Sequence, residues 1–518
     1  MKNPPLPEPS TTFLRTMRHA TLLFLTFILL LGQLVPVTAQ EGIGSDADLE
    51  RLNLLIEQAN KMKQRIELEK QAESALDDPE FQKKKMREFD MKFQTLDSPL
   101  GENKPQIQKN IDYVWTVTAG ILVMMMQLGF CMLEIGMARS RNAINVGMKN
   151  VLDFSMASIA YLLFGFTFMF GTTEGGWIGS QDFAVWKFSA DSPIWTFFFF
   201  QVVFVATSCT IASGAMAERI KFMGYLVYTV ILSGLIYPVF GHWAWGSFGG
   251  GFEPGFGGSP GWLENFGVGF LDFAGSTVVH GIGGASALAG IIVVGPRVGR
   301  FDKDGNPRYL PGHNLPLVCF GTLILWVGWF GFNAGSLVEG SAGIGRICVN
   351  TGIAGAAGCV VAMFFFWWLR GVANVLIALN GVLGGLVGVT AGADVVTPLS
   401  SIIIGGVAGI IATAGALLLE RMKLDDVVGA VPVHLFCGIW GTLCVALFHE
   451  DGFSLNRLGT QLFGTLAICI GAFFVALILF KLIDTFIGLR VSDEEQEDGL
   501  DFTEHSVNAY ADFQTTEN

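Results

Sequence analysis

Residues 279–284 read Val-His-Gly-Ile-Gly-Gly, and residues 433–438 read Val-His-Leu-Phe-Cys-Gly. Both have the form Val-His-x-x-x-Gly, and both lie inside long apolar segments. Ionisable side chains within apolar spans are rare, and they usually face a cavity or a partner. The chain has seven histidines, and only His280 and His434 lie well inside such spans. Their segments are the fifth and tenth of eleven, which run 112–136, 147–171, 192–215, 222–248, 272–296, 314–338, 348–369, 372–392, 399–420, 427–449 and 458–489. The repeat is short, but its place in the matching segment of each set of five makes it informative. Five crossings is an odd number, so the two halves have opposite orientation. Inverted repeats place binding sites near the bilayer midplane, between the halves. The fold class is therefore an all-α polytopic membrane protein of eleven transmembrane helices with a five-plus-five inverted repeat.

Composition supports this reading. The chain is 51% hydrophobic and 15% charged, against roughly 25% charged in soluble domains. Each segment is long enough for a hydrocarbon core of ~30 Å. A membrane barrel would alternate polar and apolar residues, and these segments do not. Its 65 glycines suit close helix packing in lipid. All eight cysteines lie in or at the edges of apolar segments and no CxxC occurs, so neither a disulfide framework nor a metal site is expected. The net charge is −13, and 491–518 alone holds nine acidic residues and no Lys or Arg. No basic face for nucleic acid is present.

The N-terminus has Arg15, Arg18 and His19, an apolar run over 20–35, and then Val37-Thr38-Ala39. That is the order of a secretory signal peptide, 1–39, cleaved near Ala39. An uncleaved first helix is the alternative, although the run is short of the ~20 residues a span needs. Residues 40–100 form an extra-membrane segment. Leu52, Leu55, Ala59, Met62 and Ile66 make one apolar stripe, and Asp77-Asp78-Pro79 breaks it. A helical hairpin and a solvated spacer both fit. The membrane domain is 108–490 and the tail is 491–518. One set of loops holds twelve Lys and Arg and the other holds three (Lys187, Arg346 and Arg457). By the positive-inside rule the first set is cytoplasmic. The expected location is the cell inner (plasma) membrane, with the processed N-terminus outside and the tail in the cytoplasm.

Neutral imidazole donates from one nitrogen and accepts at the other, and it titrates near neutrality. Two facing imidazoles can share a proton and pass a polar solute along. A pair of structural histidines bonded to carbonyls is the bland alternative. Zinc needs three or four ligands. Only Cys437 stands near His434 at helical spacing, so no metal is expected, and no cofactor either. No HExxH and no nucleophile–base pair occurs in a span, so an enzyme is not expected.

Asp272-Phe-Ala-Gly-Ser-Thr-Val-Val-His280 resembles the fifth-helix signature of the ammonium transporter family (Amt/Mep/Rh), Amt branch. Gly328-Trp-Phe-Gly-Phe-Asn-Ala-Gly-Ser336 resembles its sixth-helix motif. Ala217-Glu218-Arg219-Ile220, Val433-His434 through Gly441, Gly488 to Val491, Gly499-Leu500-Asp501 and Glu504-His505 also match, in family order from about Asp112 to Tyr510. The fifth-helix form separates the chain from the related Rhesus proteins. Residues 41–98 have no counterpart in the common pattern, and Gly275-Ser276 departs from the usual Gly-Gly.

The resemblance implies an ammonium transporter with a hydrophobic pore, and as the alternative a membrane ammonium sensor of the same fold. It assigns Trp245, Ser336 and Phe204 to an outer ammonium site. Phe204 and Phe332 become a stacked gate, and His280 and His434 the twin histidines. Asp272 becomes the acidic residue heading the fifth helix, where capping the helix start and touching the substrate are both open. It further implies a homotrimer and a PII-type regulatory protein docking on the cytoplasmic face, where the tail packs under the pores. Glu134 and Asp153, near helix ends, read as structural.

Overall fold

The computed structural model describes residues 104–180, 185–251 and 256–510. The expected signal peptide and the outer segment 40–100 lie outside them. Eleven helical rods follow one another: α1 Lys104–Met137, α2 Ser140–Phe170, α3 Ile194–Ala215, α4 Phe222–Phe248, α5 Ser276–Val294, α6 Leu315–Gly335, α7 Gly343–Arg370, α8 Val375–Thr390, α9 Pro398–Arg421, α10 Val431–Leu447 and α11 Leu455–Phe486. Among the described residues, nine are long and apolar enough to cross a membrane, and α8 and α10 are shorter apolar helices. The protein is a multi-pass membrane protein.

The two short rods depart from the expected 372–392 and 427–449. At 16 residues, α8 rises roughly 24 Å. Its start is fixed by left-handed Gly371, which ends α7, and by the Asn374 side chain, which accepts from Ile377 N. Residues 381–390 of α8 are all buried, so protein covers the missing length. In α4, a π-helical turn at Leu232–Ile236 comes just before Pro238. A wider turn there accommodates the N–H that proline lacks.

The inverted repeat is longer than Val-His-x-x-x-Gly. Asp272, Gly275, Val279, His280 and Gly284 recur at identical spacing as Asp426, Gly429, Val433, His434 and Gly438. Each Asp caps the helix that carries its histidine. Asp272 accepts from the N–H groups of Gly275, Thr277 and Val278 at 3.1, 2.9 and 2.8 Å. Asp426 accepts from Gly429, Ala430 and Val431 at 3.0, 3.0 and 2.8 Å. The backbone turns at Gly275 (φ 104°) and Gly429 (φ 82°), a region that side chains with a Cβ avoid. Each histidine then lies in a π-helical turn, Ser276–Gly281 or Val431–Phe436. A Cβ on Gly284 would collide with the backbone of Leu435, and one on Gly438 with the carbonyl of Ser276. Each half thus admits the other half's histidine turn by leaving out a methyl group. Ser276, where Gly-Gly is usual, donates to Val387 O and accepts from Ala391 N, both at 2.8 Å, which ties α5 to α8.

One face of the bundle carries Trp245, Asp272 and Ser336. The opposite face carries the tail, in α12 Asp493–Asp498 and α13 Leu500–His505. A capping box between Ser492 and Glu495 opens α12. The tail is bonded to three interhelical loops or their neighbouring turns. Leu500 N donates to Asn142 Oδ1 at 2.9 Å, and Asn145 N donates to Asp501 Oδ1 at 2.8 Å. Glu504 accepts from Phe222 N at 2.9 Å, and Gln496 from Val298 N at 3.2 Å.

The same face holds a buried ionic network. Arg297 reaches Asp425 at 2.8 Å and Glu218 at 2.9 Å, and Arg139 also pairs with Glu218. Burial opposes the Asp425 charge, but Arg219 and Arg297 outweigh it together and hold the carboxyl well below the usual range. Asp153 is not near a helix end. It sits midway along α2, buried, and accepts from Tyr225 Oη at 2.6 Å and Gln127 Nε2 at 2.7 Å.

Candidate pore site

Three of the expected residues share one small cavity. Trp245 from α4, Phe204 from α3 and Ser336 just after α6 line it, with Phe200, Gln201, Phe248 and Phe273. It has room for about one water-sized molecule. Trp245 is held by its indole N–H, which donates to Asp272 O at 2.7 Å. Ser336 donates its hydroxyl to Phe332 O at 2.8 Å. Its lone pairs therefore remain for an incoming N–H donor. The Gln201 Oε1 is buried and has no hydrogen-bond partner. Sequence reading missed Gln201, although its place between Phe200 and Phe204 put it on the same helix.

Beside this cavity lies a wider one, of about 360 Å³, which shares Trp245, Phe248 and Phe273 with it. Glu264, Asp272 and Asp394 line the wider one. Burial pushes the Asp272 carboxyl up to about 6 against the pull of the backbone N–H groups it accepts from. Burial also pushes Asp394 up to about 6.

On its inward side the small cavity ends at two stacked rings. The rings of Phe204 and Phe332 stack with centroids 4.1 Å apart, tilted by 21°. Phe332 in turn lies 5.3 Å from the His280 ring. The two histidines follow, Nδ1 to Nδ1 at 3.1 Å, with ring planes 22° apart. One of those nitrogens must carry the hydrogen and the other the lone pair. His280 Nε2 has no partner. Both rings are braced by aromatic groups on the first helix of each half. Trp329 of α6 stacks on His280 at 5.0 Å, and Phe130 of α1 lies 6.1 Å from His434. Trp329 is fixed by its N–H to Thr390 at 2.9 Å. Trp329 lies inside the quoted sixth-helix motif but was given no role, and Phe130 carried no signal.

The order Trp245, Phe204, Phe332, His280, His434 is thus one continuous file through the molecule. The Ammonium Transporter Family pattern matches residues 114–510. The chain belongs to the ammonium transporter family. It is 44% identical over 432 residues to ammonium transporter Amt2 of Archaeoglobus fulgidus, covering 79% of this chain and 90% of that one. Among solved structures, a sensor Amt protein matches with a TM-score of 0.73 and 39% identity, covering 77% of this chain and 100% of that one. Mep2 of Candida albicans matches with a TM-score of 0.68 and 27% identity, covering 79% and 92% of the two chains. All seven expected site residues of this family member lie along this row of rings or at its Trp245 end. Asp272 meets it only indirectly: its carboxylate caps α5, and its carbonyl holds Trp245. No group of three or more His, Cys, Asp or Glu among the described residues is placed to hold a metal ion.

Proposed function

We propose that this ammonium transporter recruits the ammonium ion at Trp245, Phe204, Gln201 and Ser336, and moves it across the midplane as ammonia and a proton, each conducted past the twin histidines. The observation that carries the reading is the closed aromatic stack set directly against a hydrogen-bonded histidine pair. A cation over Trp and Phe faces gains about 0.5–2 kcal/mol per ring, more as it loses water. Gln201 and Ser336 add acceptors for N–H, and a potassium ion has no hydrogen bond to donate to them. Carrying the intact cation through the Phe204–Phe332 stack would cost several kcal/mol. Neutral ammonia avoids that cost and needs only a transient parting of two rings. The shared Nδ1 hydrogen lets a proton arriving at one imidazole release another from its partner.

The charge asymmetry of the loops supports an inner (plasma) membrane protein with the Trp245 face outside and the tail in the cytoplasm. Resemblance to the family supports a homotrimer, each subunit with its own pore, and a PII-type regulatory protein docking over the tail face. One similar solved structure is called a sensor Amt protein. A sensor would bind ammonium without sustained current, so one measurement separates the readings. Ammonium added to proteoliposomes on a solid-supported electrode should give a saturable current. His280→Ala and His434→Ala should each abolish it while the protein still inserts. Wild-type current in both variants would sink the relay.

A further inference from the structure

Past His434 the file opens into a second narrow cavity, again with room for about one water-sized molecule. Glu134 and His434 both line it, and every other lining residue is uncharged. Glu134 lies one helical turn beyond Phe130 on α1, towards the tail face. Asn380, Val428 and Gly429 line both this cavity and a wider vestibule of about 350 Å³ on that face, so the first leads into the second. Glu134 therefore stands where the file leaves the histidines.

Its surroundings do not neutralise it. The carboxylate is buried, and no Lys or Arg among the described residues forms an ion pair with it. It accepts from Asn150 Nδ2 at 2.9 Å, and Asn150 Oδ1 in turn accepts from the Thr210 hydroxyl at 3.1 Å. Lys149 of α2 is the nearby cation, but its Nζ is turned to Asn145 Oδ1 at 2.6 Å and Ile220 O at 3.1 Å. Asp153 and Cys131 are the other titratable neighbours, and Tyr225 is bonded to Asp153. A buried carboxylate without a paired cation is costly. If bracing α1 on α2 were its whole role, glutamine would do it without the charge. Of the two acids lining the vestibule, Asp426 is already held by three backbone N–H groups and Glu420 is paired with Arg300.

We propose that Glu134 is the exit-side proton acceptor of the pore, the place where ammonium is reassembled. The inference rests on the histidine relay. Protonated His434 passes its proton across the cavity, which has room for one bridging water, and the Glu134 carboxylate takes it, leaving neutral imidazole and a carboxylic acid. Ammonia entering the same cavity then takes that proton. Carboxylate and ammonium ion result, and the ion leaves through the vestibule with the single charge that entered.

The test compares ammonium-evoked currents in proteoliposomes for the wild type, Glu134→Gln, Glu134→Asp and His280→Ala, with pH varied on the tail side alone. Glu134→Gln keeps the volume and the acceptor for Asn150. It should cut the current at least tenfold with unchanged membrane yield and melting. Glu134→Asp should restore most of the current with a shifted tail-side pH profile. Wild-type current and pH profile in Glu134→Gln would overturn the proposal. Lost current in His280→Ala alongside normal current in Glu134→Gln would remove Glu134 and keep the relay, whereas normal current in His280→Ala removes the relay itself. Should Glu134→Gln fail to fold, infrared difference spectra of the wild type on ammonium addition decide. A carboxyl C=O band that shifts in Glu134→Asp is expected, and its absence in the wild type would overturn the proposal.

Discussion

At the scale of single residues, the row of adjacent rings was legible wherever a side chain sat in a motif of fixed register. His280, His434, Phe332 and Ser336 lie in such motifs, and the structure sets them on one file with Phe204 and Trp245. Phe130 was not legible, because it is one of 44 phenylalanines and its partner His434 lies in the other half of the chain. Glu134 reads as structural from its place near a helix end, which says nothing of the cavity it lines. Asp426 was legible and was overlooked, since Asp-x-x-Gly-x-x-x-Val-His occurs in full at both sites. Trp245 gives the sharpest single-residue expectation. It lines both outer cavities, and its ring is 6.4 Å from that of Phe204. Trp245→Leu removes a cation–π face worth about 1 kcal/mol, which is about fivefold in affinity. Uptake should fall at low ammonium more than at high ammonium, and an unchanged half-saturation concentration would rule out recruitment by this ring.

At the scale of elements, helix existence was clear and helix length was not. Apolar runs mark where a chain can cross, but the starts of α8 and α10 are set by Asn374 and by the Asp426–Gly429 turn, which are local polar and backbone effects. The cap of α5 carries a pH expectation. An ordinary aspartic acid ionises near 3.8 and Asp272 here near 6. The folded state therefore holds this proton more tightly than the unfolded chain does. Lowering the pH from about 6 towards 4 thus does not erode folding stability through this group. It does erase negative charge beside Trp245. Half-saturation for ammonium should rise as the outer pH falls through about 6, with no loss of melting temperature. Asp272→Asn should bind weakly even at pH 7. Asp394, in the same cavity and also near 6, should leave a residual slope that Asp272→Asn with Asp394→Asn reduces further, Glu264 being the third carboxyl there. A half-saturation independent of pH in the wild type would contradict this.

At the scale of the whole molecule, the acidic tail proves to be docked structure rather than a solvated end over the described part. Its bonds to Asn142, Asn145, Phe222 and Val298 tie together the start of α2, the start of α4 and the loop after α5. Asn145 joins the tail to the interior, since its amide donates to Glu504 at 2.6 Å while its oxygen accepts from buried Lys149. Deleting Val491–Asn518 should lower or deregulate transport while the protein still reaches the membrane, read as current per unit of inserted protein. Wild-type current, with unchanged inhibition by a PII-type partner, would leave the tail without a regulatory role. Little of this docking could be read from composition, which showed only charge. The contacts depend on loops far apart in the chain.

The two halves of the pore spell the same word from opposite ends: an aspartate, a glycine elbow, a histidine, then a glycine that receives the other half. Such a palindrome contains no arrow. Rectification, the difference in ease between inward and outward flow, has to arise from the parts without a mirror image. These are the Phe204–Phe332 stack and Trp245 on one side, and Glu134 and the docked tail on the other. The asymmetry of the current–voltage curve is therefore written outside the histidine pair, and the core would run the trade in either direction that the gradients command.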